Sequence, residues 1–186
     1  MTPRPQERSV RIIGGKWRGR KISFADRTQV RPTPSRVRET LFNWLQAEIA
    51  GSRTLEPFGG SGVLSLEALS RGARDAHIVE RDRPTAAAIE ANRERLGADN
   101  LFLHVADALT WTAARSERWD IVFLDPPFAG NRYRDAINLV ASHVAHGGFV
   151  YVESGDPLDP AELPNGFNLL RQKRAARVHF ALLQFE

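Results

Sequence analysis

The sequence predicts an α/β fold: a mostly parallel sheet covered by helices on both faces and ending in an antiparallel pair of strands. Three observations carry this. From Thr54 onward short apolar runs alternate with stretches of helical spacing, the pattern of βαβ units. Glycines and a Pro-Pro pair stand where apolar runs end, and the carboxyl ends of strands are where open α/β sheets hold their ligands. After Pro164 two strand-like runs follow with no helix between them, so they pair antiparallel at a sheet edge.

The first forty residues read differently from the rest. R-I-I-G-G-K-W-R-G-R-K-I-S-F, from Arg11 to Phe24, sets Ile12, Ile13, Trp17, Ile22 and Phe24 among Gly and Arg, which suits a twisted hairpin better than a disordered tail. Thr33 and Pro34 read as the cap and first position of a helix that Gly51 stops. Within it Val37, Leu41, Trp44, Leu45 and Ile49 recur on one face, with Arg36, Arg38 and Glu39 off its centre. Strands are then expected at 54–58, 76–80, 101–105, 120–124 and 148–152. Helices fall between them at Val63 to Arg71, at Arg83 to Leu96 between an Asp82 cap and Gly97, and at Arg132 to Val144. The last two strands meet at a turn near Ala175.

Composition bounds the function. A chain of 186 residues, 42% hydrophobic, is one globular domain with a small appendage, and at this length roughly 70% of the unfolded surface can be buried. The absence of cysteine excludes a disulfide framework, Cys-ligated zinc, iron–sulfur clusters and a thiol nucleophile. The five histidines have no ligand spacing, so no metal site is expected. No run approaches the ~18 apolar residues of a spanning helix, and a soluble cytoplasmic protein is expected. Residues 1–40 carry a net charge of +8 and the remainder −4. We divide the chain accordingly into a basic arm, 1–32, and a main domain, 33–186. Such asymmetry suits a polyanion, because clustered cations release phosphate counterions; a solvated basic tail is the alternative. Trp17 among the cations either stacks on a base or packs the arm on the body. The later cluster Arg171, Lys173, Arg174 and Arg177 either extends such a surface or is a solvated turn.

The chemistry gathers at strand ends. E-P-F-G-G-S-G, Glu56 to Gly62, is a glycine turn between a strand and a helix, where backbone can approach a ligand closely. Ser65 stands where a dinucleotide fingerprint wants glycine or alanine, which argues against a bound pyrophosphate. Glu80 ends the second strand, where a carboxylate accepts two ribose hydroxyls; with the glycine turn it indicates a nucleoside-containing cofactor. Asp107 follows the third strand and suits an adenine amino group or a helix cap. D-P-P-F, Asp125 to Phe128, is a rigid turn offering a carboxylate, a carbonyl and an aromatic ring to an exocyclic amine.

The glycine turn, Glu80, Asp107 and D-P-P-F in this order resemble the class I S-adenosylmethionine-dependent methyltransferases that modify amino groups of planar substrates. More closely, R-I-I-G-G-K-W-R-G-R-K, R-P-T-P-S-R-V-R-E-T-L-F-N-W-L and L-S-L-E-A-L-S-R-G-A resemble the bacterial 16S ribosomal RNA (guanine966-N2)-methyltransferase family, the RsmD type, over nearly the whole chain. The resemblance implies a Rossmann-like, seven-stranded methyltransferase sheet and an N-terminal β-hairpin arm that helps hold RNA. It implies a monomer acting on 16S ribosomal RNA, within a small ribosomal subunit or its assembly intermediate, that converts S-adenosylmethionine to S-adenosylhomocysteine. Carried onto this chain, Glu56 and the backbone of Phe58, Gly59, Gly60, Ser61 and Gly62 hold the methionine part of the cofactor. Glu80, beside Arg81, takes the ribose; Asp107 and Ala108 take the adenine. Asp125, Pro126, Pro127 and Phe128 form the catalytic turn, with Asp125 also beside the cofactor. Arg11, Lys16, Trp17, Arg18, Arg20, Lys21, Arg36 and Arg38 face RNA.

The family usually has Asp where Glu56 stands and lacks Pro57. Glu56 must therefore sit back or tilt, and Pro57 removes a donor from the first strand. Three rivals are weighed against this reading. A methyltransferase of DNA adenine or protein glutamine shares the D-P-P-F logic, a non-catalytic RNA-binding module shares the fold, and a nicotinamide dehydrogenase is disfavoured by Ser65.

Overall fold

A computed structural model describes residues 8–24, 32–126 and 133–186. The arm contributes β1 (Arg8–Arg11) and β2 (Lys21–Phe24), paired antiparallel. The main sheet holds β3 (Arg53–Glu56), β4 (Asp75–Val79), β5 (Leu101–His104), β6 (Trp119–Leu124), β7 (Val144–Ser154), β8 (Phe167–Ala175) and β9 (Val178–Phe185). Its order is β5-β4-β3-β6-β7-β9-β8. Strands β3 to β7 are parallel to their neighbours, and β9 runs antiparallel between β7 and β8. The expected seven-stranded, mostly parallel sheet with a final antiparallel hairpin is therefore present.

Helices α1 (Ser35–Trp44), α2 (Val63–Ser70) and α3 (Arg83–Leu96) cover one face, with Leu41, Phe42, Leu66 and Ile89 packed on Ile78, Phe123 and Tyr151. Helices α4 (Ala108–Ala113) and α5 (Tyr133–Val140) cover the other, around Leu55, Val122, Leu124 and Val152. Alternation along each strand serves both cores: in β6, Phe123 faces the first and Leu124 the second.

Most boundaries match the sequence pattern, α3 and its Asp82 cap among them, since Asp82 accepts from the Thr85 N–H at 3.0 Å. Four differ. Pro34, not Thr33, caps α1, because the Thr33 hydroxyl donates instead to Glu153 at 2.7 Å. Strand β3 ends at Glu56, so Pro57 lies beyond it and removes no ladder bond. Helix α5 stops at Val140, a short 3-10 turn follows, and β7 begins at Val144. Helix α4 was announced only by the cap reading of Asp107, because six residues carry too little periodicity to mark a helix.

The arm lies flat on the body. Ile12, Trp17 and Ile22 belong to the same core as α1, α2 and α3. Glu67, fully buried on α2, accepts from the Gly14 N–H at 2.8 Å, from the Ile13 N–H at 2.9 Å and from Arg71 at 2.9 Å. It also pairs with Arg38 at 3.2 Å, both side chains at 0% exposure. Arg38 in turn donates to the carbonyls of Thr33 and Arg11, both at 3.0 Å, and to the Ser35 hydroxyl. Burial lowers the Arg38 pKa and Glu67 opposes that shift. Ser70 completes the seam: its carbonyl accepts from Lys16 N–H, and its hydroxyl accepts from Trp17 N–H and donates to the Gly14 carbonyl. Gly15, at φ +75°, has no room for a side chain, since a Cβ would sit 1.8 Å from the Ser70 carbonyl oxygen.

Glu67→Ala should cost about 3–5 kcal/mol, because it leaves Arg38 buried without its counterion. Urea unfolding measures this, and a loss below about 1 kcal/mol would mean that the seam does not depend on Glu67.

Candidate active site

The parallel strands end at one edge, and there the predicted residues converge. The first βα turn runs from β3 into α2 with Gly62 at φ +68° as the cap position. Gly59 lies against β4: its N–H donates to the Val79 carbonyl at 2.9 Å, and a Cβ would meet the Ile78 side chain at 2.6 Å. Glycine here lets the turn lie flat and present its backbone outward.

Glu80, half-buried just past β4, is held at both oxygens. One accepts from Gly60 N–H at 2.9 Å and the other from Asp82 N–H at 2.7 Å. Each oxygen keeps accepting capacity, so the carboxylate is a fixed, forked acceptor at the turn. The Ala106 N–H donates to the Glu80 carbonyl, which brings the end of β5 alongside. Asp107 there caps α4, its Oδ1 accepting from the N–H groups of Leu109 and Thr110. The cap reading of Asp107 is thus present in the structure, with both bonds on one oxygen.

Glu56 tilts, as its extra methylene requires. Its Oε2 accepts from the Ser65 hydroxyl at 2.6 Å and the Ser65 N–H at 3.1 Å, in the first turn of α2. Ser65, read from sequence only as a missing glycine, is the group that receives the longer side chain. Burial pushes the Glu56 carboxyl up to about 8; Ser65 opposes this, while Asp125 and Glu80 add to it by repulsion.

Asp125 and Pro126 follow β6, and Pro127 and Phe128 lie outside the described residues. Asp125 is exposed at the mouth of the crevice, yet its carboxyl is pushed up to about 7, first by the crowding of protein atoms and then by Glu153. Glu153 is its neighbour across the β6–β7 ladder, one step beyond the Leu124–Val152 pair. Glu153 accepts from the hydroxyls of Thr33 at 2.7 Å and Tyr151 at 2.9 Å, and burial raises its pKa. Sequence reasoning missed this residue. The signal was available, since Y-V-E-S ends an apolar strand as A-H-I-V-E does at Glu80.

Two expected RNA contacts are corrected. Arg38 is 0% exposed and its donors are taken up inside the protein, so it cannot reach a partner. Trp17 is 8% exposed and packs the arm on the body, with Lys16 over its ring at 4.3 Å. Arg11, Lys16, Arg18, Arg20, Lys21 and Arg36 are exposed, as is Arg81, while Ala108 and Ser61 are buried.

The chain matches the family model Conserved hypothetical protein 95 over residues 10–184. It is 40% identical over 179 residues to ribosomal RNA small subunit methyltransferase D of Escherichia coli strain K12, covering 95% of this chain and 90% of that one. It is 36% identical to the protein of the same name from Haemophilus influenzae, covering 94% and 93%. Among solved structures, yhhF from Escherichia coli superposes with a TM-score of 0.85 at 40% identity, over 96% of this chain and 98% of that one.

Because its folded pKa lies near 8 against an ordinary 4.5, Glu56 keeps a proton in the folded protein that the unfolded chain has already released. Stability is therefore lost as pH rises through that window. Glu56→Gln should gain on wild type between pH 5 and pH 8.5 in parallel urea titrations; a constant difference would refute the shift.

Proposed function

The chain belongs to the family of ribosomal RNA small subunit methyltransferase D, described as Conserved hypothetical protein 95, and on that premise we propose that it methylates the exocyclic N2 of a guanine in 16S ribosomal RNA. The observation that carries this is the convergence of the glycine turn, the doubly held Glu80 and the Asp125-Pro126 turn at one sheet edge. The donor is S-adenosylmethionine, which supplies an electrophilic methyl group on a sulfonium centre. The site fits it: a turn with no space for a side chain at Gly59, a forked acceptor for a ribose, and carboxyls at neighbouring strand ends, raised first by burial and then by repulsion among carboxylates, that a cationic centre would hold ionised.

In this reading Glu80 accepts the ribose hydroxyls and Asp107 with Ala108 receives the adenine. Glu56 does not line the pocket freely; it is tied to Ser65, and with its carboxyl near 8 it is largely charged only above that pH. Asp125 and the Pro126 carbonyl accept the N2–H groups of the guanine. Held in this way the amine can pyramidalise and expose its lone pair, which a delocalised amine otherwise does not offer, and positioning of that kind can supply ~7 kcal/mol or more. With its carboxyl near 7, Asp125 is also suited to take the proton that the methylated amine releases. The guanine must leave its stack to reach the turn, at a cost of a few kcal/mol. Exposed Arg11, Lys16, Arg18, Arg20, Lys21 and Arg36 supply phosphate contacts. We further propose that the chain acts as a monomer on a small ribosomal subunit or its assembly intermediate.

Labelled methyl should pass from S-adenosylmethionine to small subunits lacking N2 methylation and be recovered as N2-methylguanine; absence of label at saturating cofactor and proven subunit binding would sink the reading. At saturating cofactor Asp125→Ala should lower the rate by about 100-fold or more. Equal activity in that variant would remove Asp125 from the mechanism. Since protonated carboxyls attract a sulfonium poorly, cofactor affinity should rise from pH 6 to pH 8, by up to roughly tenfold per pH unit below 7. Calorimetry across that range tests it, and a flat profile would contradict it.

A further inference from the structure

We propose that the turn end of the β8–β9 hairpin is a second binding surface for the RNA backbone, separate from the arm, with Lys173, Arg174 and Arg177 as its cations. The inference rests on the reading of the chain as an RNA methyltransferase. Topology gives the first reason. Strand β7 ends at Ser154, which pairs with His179 near the start of β9, and His179 pairs with Arg174 near the end of β8. The hairpin turn therefore lies on the same sheet edge as Glu56, Glu80 and Asp125. Three strand spacings separate β6 from β8, so the cations stand about 15 Å along the rim from Asp125.

Distribution of charge gives the second. Strand β8 is an edge strand, and charge on an edge commonly serves only to block pairing with another chain. A single charge or a bulge meets that purpose, and β8 already has a bulge between Leu169 and Arg171. Here Phe167, Asn168, Leu169 and Leu170 carry none, and Arg171, Lys173 and Arg174 crowd the half nearest the active-site edge, with Arg177 in the turn beyond. All four are exposed, and among the described residues none pairs with a carboxylate. Arg174 donates one N–H to the Ala176 carbonyl at 2.9 Å, which fixes its direction at the turn. Ala176 itself sits at φ +54°, so the turn is a tight and defined one.

Charge balance adds a third reason. The carboxylates of the crevice repel a polyanion, and cations on the rim beside them offset that repulsion where RNA must approach. The N-terminal arm lies over α2 and α3, whereas β8 is the opposite edge strand of the sheet from β5, which α3 overlies.

The test is binding of deproteinised 16S RNA as a function of salt, comparing wild type with the triple variant Lys173→Gln, Arg174→Gln, Arg177→Gln. Every cation that no longer neutralises a phosphate should lower the slope of log affinity against log salt by about one unit, so a fall of roughly two to three units is expected. Methyl transfer at subsaturating RNA should fall about tenfold or more, with cofactor affinity unchanged. Arg174→Lys with Arg177→Lys should keep the slope, which separates loss of charge from loss of fold. An unchanged slope in the triple variant overturns the proposal, and so does self-association of that variant at unchanged slope, which would return the charges to edge protection. A slope that changes with intact subunits but not with naked RNA would assign the surface to a protein partner and overturn it equally. Wild type without salt-dependent binding to naked RNA or to small subunits would bring down the RNA reading itself, a failure visible before any variant is made.

Discussion

Arg38 and Glu67 meet with no solvent on either side chain, and the docking of the arm and of α1 on α2 hangs on that meeting. A buried ion pair gains little over a well-packed apolar pair, since both ions give up water. Its value here lies in how many backbone groups it gathers. Arg38 takes carbonyls from the start of α1 and the end of β1, while Glu67 takes two N–H groups from the loop between the arm's strands. Segments distant in sequence are thereby fixed to one point on α2. The arm's outer cations can be displayed in a defined pattern because its inner surface has no freedom left.

The active-site edge follows the opposite rule. Glu56, Asp125 and Glu153 end neighbouring strands; burial raises all three pKa values, and repulsion from nearby carboxylates adds to it at Glu56 and Asp125. In isolation this destabilises the fold. Thr33, Tyr151 and Ser65 limit the effect by donating to two of these carboxylates. Among the described residues Asp125 has no such donor and it keeps the most solvent, which is consistent with its being the carboxylate that meets a ligand.

How much of this could be read from the residues follows from where each signal resides. Alternating apolar runs announced β3 to β9 because strand and helix periods differ and each covers a full element. Glu80 and Asp125 were legible because they terminate such runs. Arg38 was misread because charge on a helix suggests solvent, and the carboxylate that draws it inward lies on another helix. Trp17 was ambiguous for a related reason: an aromatic among cations looks the same whether it faces a base or a core. Ser65 was taken for a defect in a glycine pattern, because its partner, Glu56, lies on the neighbouring strand. Short α4 left no periodic trace, and Asp107 was the only residue that marked its start.

The place of β9 in the sheet has a consequence for biosynthesis. It is the last strand in the sequence, yet it lies between β7 and β8 and bonds to both. Until it is made, β8 has no partner, and the free edge of β7 is an apolar run of Val150, Tyr151 and Val152. A nascent chain that already contains five parallel strands must therefore wait with an unpaired, sticky edge. The sheet closes from within, by insertion, and until that closure the β7 edge is open to pairing with another chain.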